Sequence, residues 1–350
     1  MAERITKITT HKGDRYFIDE KYAYDERGNK KSVTHADGSR AVYSYDTINR
    51  LIKAEYYRNE EDTFYDVQEY GYDVDGNRIT YKDSVKNIQY KVESNKLQSY
   101  SSGGDNEEIK AEFNYKLGNE ISQKEYHSGK LVLERSFSYD ADNRLISADV
   151  KDDQINFETS STYTYDYVGR RESKVVDGKT TYYGYGESLD PLIEVNDKGE
   201  IDTAHIYIGG LRIAAVEGDK LKVYHTDELG NTIGITDEDG KVTQTVRYDP
   251  FGNTNFLNGP DSNEYLFAGK PFDRETGLIY FGGRYYDPQL GRYLSRDPLA
   301  QGFNHYIYTD NNPLVKKDIF GLWGGFGGGS MDGPIDGGGE VIDLTGGGDI

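Results

Sequence analysis

The chain has no cysteine, one tryptophan, two methionines and only eight prolines in 350 residues. Without cysteine, disulfides, thiolate nucleophiles and Cys-ligated zinc are excluded, and sequence leaves no mark of the redox compartment. Basic residues are in deficit, 41 against 61 acidic ones for a formal charge of −20. Such a surface disfavours phosphate backbones, whose binding needs cations to release counterions, so nucleic acid is not an expected partner. Long apolar runs are missing too. No window approaches the roughly eighteen apolar residues of a membrane span, and the N-terminus, MAERITKITTHKGDRYFIDE, has no apolar core of a cleavable signal. The expected location is therefore cytoplasmic until a dedicated secretion system exports the protein, or secreted or cell-surface as part of a longer chain.

Mean hydropathy is low, −0.80, a value that alone would suggest disorder. What is present instead is aromatic: 32 tyrosines and 13 phenylalanines give apolar area that hydropathy scales undervalue. The tyrosines recur in a unit, Tyr-Asp-x-x-Gly/Asn-Asn/Arg, as YDERGN (Tyr24), YDTINR (Tyr45), YDVDGNR (Tyr72), a decayed YKVESNK (Tyr90), YKLGNE (Tyr115), YDADNR (Tyr139) and YDYVGR (Tyr165), at intervals of 18 to 27 residues. That spacing fits one β-hairpin and its return. Alternation such as Tyr163-Thr164-Tyr165 puts every second side chain on one face. Where an Asp follows the Tyr, it is suited to accept backbone N–H groups in a turn, and the Gly or Asn that follows tolerates positive φ. Each unit is predicted to be strand, tight turn, strand, winding on into one long sheet.

From Leu189 the repeat loosens into hairpins with turns at 196–199, 218–219, 227–230 and 237–240, and past Leu322 the composition changes abruptly to a Gly-rich run. Such a run buries too little to offset the entropy of ordering it. The division predicted is 1–188, repeat hairpins; 189–322, a closing segment; 323–350, a disordered tail.

The densest stretch is Gly277 to Asp297, GLIYFGGRYYDPQLGRYLSRD, β-hairpin material without helical period. With YHTDELGNTIGITDEDGKVTQTVRYDPFGN (224–253), YLFAGKPFDRETG (265–277) and NHYIYTDNNPL (304–314), it resembles the repeat-associated core of the Rhs/YD-repeat family. The resemblance implies an all-β fold in which YD repeats spiral into a shell that the core segment plugs or caps. It also implies a carrier whose shell encloses or presents a C-terminal effector, partnered by that segment and by a delivery system or an N-terminal part of the shell, with no cofactor.

The family's self-cleaving members carry two DPxGL-like motifs about twenty residues apart and are cut after the Leu of the second. Here the first reads Asp297-Pro298-Leu299-Ala300, without its Gly, and the second Asp318-Ile319-Phe320-Gly321-Leu322, without its Pro. The resemblance thus nominates Asp297 and Asp318 as a proteolytic carboxylate pair, Arg296 as the group that orients one of them or steadies an oxyanion, Asp310 as an alternative partner, and Leu322–Trp323 as the scissile bond. Two carboxylates held close cannot both ionise, so one keeps a proton as general acid while the other activates water. The competing reading makes both Asp residues turn acids and the site a structural remnant.

Other clusters are weaker. Asp73-Val74-Asp75-Gly76-Asn77 and Asp237-Glu238-Asp239-Gly240 invite a calcium reading, but the first places Asn77 and Ser84 where an EF-hand wants acids, and hairpin turns account for them. The six histidines show no zinc spacing, and His225 is expected to pack at the closing segment. A second function class remains: an adhesion or glycan-binding module, which would need exposed tyrosine rows.

Overall fold

The computed structural model describes residues 4–12, 15–58, 63–102, 108–259, 263–300 and 302–322. Their backbone forms a 23-stranded antiparallel sheet, from strand Lys7–Lys12 to strand Thr254–Asn258, in which strands pair with their neighbours in sequence. The meander runs without a break across Leu189, where strand Lys179–Tyr185 pairs with strand Pro191–Val195. A second sheet of four short strands spans Phe272–Asp273 to Arg292–Tyr293.

The repeat unit explains this geometry. Asp25 Oδ1 accepts the N–H groups of Arg27 (2.9 Å) and Asn29 (2.8 Å). Asp46, Asp140, Asp166, Asp227 and Asp249 do the same for the residues two and four ahead. The fourth turn residue is left-handed, as at Gly28 (φ 85°) and Asn49 (φ 68°), and the register shifts beside the Tyr. This is a type I turn closed by a bulge, the hairpin that suits Gly or Asn at that place. The Asp pairs read as possible calcium ligands are such turns, with Asp73 held by the N–H and side chain of Asn77.

In several units the Tyr then ties one hairpin to the last. The hydroxyls of Tyr45, Tyr72, Tyr165, Tyr185 and Tyr248 donate to the carbonyls of Lys30, Leu51, Leu145, Arg171 and Thr232, in every case the residue five past a preceding turn Asp. A net contribution of about 1 kcal/mol per bond is typical, and the ring is buried along the way.

One face of this wall packs on residues 263–322. Phe137, Leu145, Ala148 and Tyr163 of the wall meet Leu278, Tyr280, Tyr285 and Leu294. Behind them Phe267, Phe281, Tyr286, Tyr293 and Tyr308 form an aromatic centre. Inward cations pin the two layers together: Arg135 Nη1 lies 2.9 Å from Asp287, and Arg171 and Lys174 both reach fully buried Asp273. Removing one partner of such a buried group strands the others, at a cost of about 3–5 kcal/mol.

The first and last parts of the wall meet through side chains. Lys30 pairs with Glu228, and Arg247 bonds Asp37 (2.9 Å) and Ser39 (3.0 Å). His225 sits at this seam, 3.4 Å from Thr10 Oγ1 and 3.0 Å from Thr236 Oγ1, where burial lowers its pKa to about 4. A cavity of about 530 Å3 opens there, with Lys30, Tyr43 and Arg247 on its lining.

Candidate functional site

Both DPxGL-like motifs fold as the repeat's own turn. Asp297 Oδ1 accepts the N–H of Leu299 (2.8 Å), and the Asp297 carbonyl accepts that of Ala300 (3.0 Å). Ala300 stands at φ 49°, the left-handed place that the repeats give to Gly or Asn. Asp318 Oδ1 accepts the N–H groups of Phe320 (3.2 Å) and Leu322 (3.0 Å), with Gly321 at φ 69°. The missing Pro is not needed, because Pro in a turn only pre-sets a φ that other residues also adopt.

The other oxygen of Asp318 is bonded as well. Tyr293 donates its hydroxyl to Oδ2 at 2.8 Å and Arg284 its Nη2 at 3.3 Å, and burial together with Asp318 drives the Tyr293 pKa well above its usual value. Arg284 is the hub of the site. Its Nε donates to the carbonyl of Gly321, its Nη1 to the carbonyl of His305 (2.9 Å), and its guanidinium lies over the Tyr293 ring, 3.6 Å from the centroid. The same His305 carbonyl accepts the backbone N–H of Asp297 at 3.0 Å. Asp297 and Asp318, both buried, are thus joined through His305 and Arg284.

The three segments meet because Gly282 and Gly283 leave room. The Gly283 N–H donates to the carbonyl of Phe320 (2.9 Å), and Leu322 packs on the bare Gly283 Cα. The chain from Phe320 to Leu322 is therefore held at four points: the Phe320 carbonyl, the Gly321 carbonyl, the Leu322 N–H and the Leu322 side chain. Trp323, the far side of the nominated bond, and the Gly-rich tail lie outside the described residues.

The other nominated residues are placed differently from one another. Arg296 donates to His305 Nδ1 (3.1 Å) and lays its methylenes over Gly118; the guanidinium bonded to Asp318 is that of Arg284. Asp310 is half exposed and paired with Lys316 (2.8 Å), within a run of three left-handed residues, Thr309 to Asn311. Asp297, Arg284, His305 and Asp310 share a groove of about 590 Å3, rimmed by exposed Ile48, Val74 and Phe303. Sequence reasoning missed Arg284, Tyr293 and His305; the one signal was their density in GGRYYDP and the flanking core stretches.

Comparison with known proteins agrees with this architecture. The profile of the teneurin YD-shell matches residues 1–314. The tRNA nuclease WapA of Bacillus subtilis (strain 168) is 32% identical over 300 residues, 80% of this chain and 12% of that protein. The double-stranded DNA deaminase toxin A of Burkholderia cenocepacia (strain H111) is 26% identical over 87% of this chain and 22% of its own length. Toxin protein Tse5 of Pseudomonas aeruginosa is 29% identical over 53% and 17%. Among solved structures, TcdB2-TccC3-Cdc42 is similar over 91% of this chain and 20% of that one, with 19% identity and a TM-score of 0.45. The chain thus spans about an eighth to a fifth of these relatives. With its repeat turns, tyrosine ties and packed core segment, it belongs to the teneurin YD-shell family.

Proposed function

We propose that this chain is the closing end of a YD-shell carrier, in which residues 189–322 close the wall and hold the exit point of a C-terminal effector polypeptide. The observation that carries the reading is the four-point hold on Phe320–Leu322. Four separate contacts fix Phe320–Leu322 against residues 282–284 and Asp318. The names of the relatives, nucleases, a deaminase and toxins, are consistent with effectors joined to such an end. A delivery system or a further part of the shell would complete the assembly.

The finer reading is self-cleavage of Leu322–Trp323. Asp297 lies on the groove wall and is the carboxylate suited to activate water. The water oxygen adds to the Leu322 carbonyl carbon as Asp297 takes the water's proton, and the Leu322–Trp323 bond breaks as Asp297 passes that proton to the departing Trp323 nitrogen. Arg284 and Asp318 hold the segment in place, Asp310 borders the groove, and Arg296 reaches it through His305. The test is intact mass of purified parent beside Asp297→Ala. Loss of the peptide from Trp323 onward in the parent alone supports cleavage; full-length parent under native conditions removes it and leaves containment.

Adhesion through glycans is less well supported. It asks for exposed tyrosine rows, whereas the repeat tyrosines Tyr45, Tyr72 and Tyr165 are partly buried against the core and give their hydroxyls to wall carbonyls. A glycan array with no hits is the expected result.

A further inference from the structure

Val74 is 98% exposed and Phe303 95%. With Ile48, 66% exposed, they stand on the rim of the groove of about 590 Å3 that Arg284, Asp297 and His305 also line. Ile48 and Val74 occupy turn places that the first unit gives to Arg27 and Glu26. Among the described residues nothing covers them, and large apolar side chains gathered at one rim mark a surface made for a contact.

The rim is fastened in place. Asn95 Nδ2 donates to the Phe303 carbonyl (3.0 Å), Asn304 Nδ2 to Asn77 Oδ1 (2.7 Å) and Asn311 Nδ2 to the Gly76 carbonyl (2.8 Å). These bonds tie the core segment to the turn tips of the wall, and the groove is the gap between the ties.

The chain itself has a cover within reach. Its last described turn ends at Leu322, and the Gly321 carbonyl accepts from Arg284, a residue of the groove lining. The next residues are Trp323-Gly324-Gly325-Phe326. At about 3.5 Å per extended residue, Trp323 follows no more than about 7 Å of chain after that bond, and Phe326 about 10 Å later. The two glycines between them put no side chain in the way of a close pass. An indole N–H needs an acceptor once it is covered, and the carboxylates of Asp75 and Asp297 border the groove.

We propose that this groove is the seat of the chain's own next residues, with the rings of Trp323 and Phe326 covering Val74, Phe303 and Ile48. The proposal rests on the reading of Phe320–Leu322 as the exit point of a C-terminal polypeptide and needs no cleavage. Seated in this way, the polypeptide leaves along a fixed track past the turn tips, beside the Asp297 carboxylate.

Trp323 is the only tryptophan of the chain, so its fluorescence reports on this seat alone. In the folded full-length chain its emission should lie at shorter wavelength, and its acrylamide quenching constant should be several-fold lower, than in the same chain unfolded in urea. Phe303→Ser and Val74→Ser, at side chains too bare to support the fold, should each raise the quenching constant toward the unfolded value. Tyr167→Ser, 95% exposed but off the groove lining, should leave it unchanged. Quenching as strong in the folded parent as in urea overturns the proposal, and so does shielding that neither groove variant weakens. Shielding that fades on dilution also overturns it, because Trp323 would then sit on a second copy. Intact mass of the same samples reads cleavage separately, and if the parent is cut, Asp297→Asn supplies the full-length chain. A full-length parent with shielded Trp323 removes cleavage and keeps the seat; a cut parent whose Asp297→Asn form leaves Trp323 unshielded does the reverse.

Discussion

Leu322 rests on Gly283 so closely that a Cβ built on the glycine would lie 2.8 Å from Leu322 Cδ2 and 3.0 Å from the Phe320 carbonyl oxygen. Gly283 is not at positive φ, so its lack of a side chain answers to this contact and not to backbone conformation. The glycine and the nominated scissile residue are one fitted pair.

Gly283→Ala should therefore lift the Phe320–Leu322 segment off its bed while the strand pairing of the wall stays intact. The expected global loss is modest, about 1–3 kcal/mol as for other overpacked sites. The local effect should be large: loss of hydrogen-exchange protection at the Gly283 and Leu322 amides, and faster nicking by added protease near Leu322. If the chain cleaves itself, the variant should also stay full length. Unchanged protection at both amides would show that the contact does not hold the segment.

Ala300 gives a prediction of the opposite sign. It occupies, at φ 49°, the turn place where the repeat units use Gly or Asn, and an L side chain in that region is strained by roughly 1–2 kcal/mol. Ala300→Gly relieves the strain but gives back some of it by loosening the unfolded chain. The net expectation is stabilisation of about 0.5–1 kcal/mol, read as a higher urea midpoint at unchanged slope. A lower midpoint would mean that the turn does not hold this conformation in solution.

The repeat turns were legible in sequence because all of their chemistry is local: an acceptor at Asp, and a residue tolerant of positive φ three positions on. At Tyr90 and Tyr115 the predicted hairpin forms by another route. There Lys replaces the Asp, no carboxylate gathers the N–H groups, and the chain turns instead through two left-handed residues, Ser94-Asn95 and Leu117-Gly118. The tyrosine ties could not be read, since they depend on register between hairpins. Neither could Arg284, which acquires its meaning only when Gly321 and His305 return to it from far along the chain. The seam was likewise hidden, because Lys30 and Glu228 carry no pattern in sequence that links them.

The Leu117-Gly118 departure leads to the last prediction. Just past this turn Glu120 is buried, with its N–H on the Leu294 carbonyl and Tyr115 at 3.4 Å from Oε2. Desolvation first, and Asp287 second, raise its pKa from 4.5 to about 8. The folded chain then binds one more proton here than the unfolded chain between about pH 4.5 and 8. Stability from this group is complete below the unfolded pKa and declines as pH rises through the folded one, by up to about 1.4 kcal/mol per pH unit. Asp227 and Glu275, raised to about 6 and about 7, slope the same way, while His225 opposes them in acid, losing its contribution as pH falls through about 4. Comparison with Glu120→Gln isolates the single group. The variant should match the parent near pH 5 and be the more stable of the two at pH 8, measured by urea unfolding across that range. Parallel pH profiles for the two proteins would mean that Glu120 finds water or a cation in solution and is ionised in the folded chain.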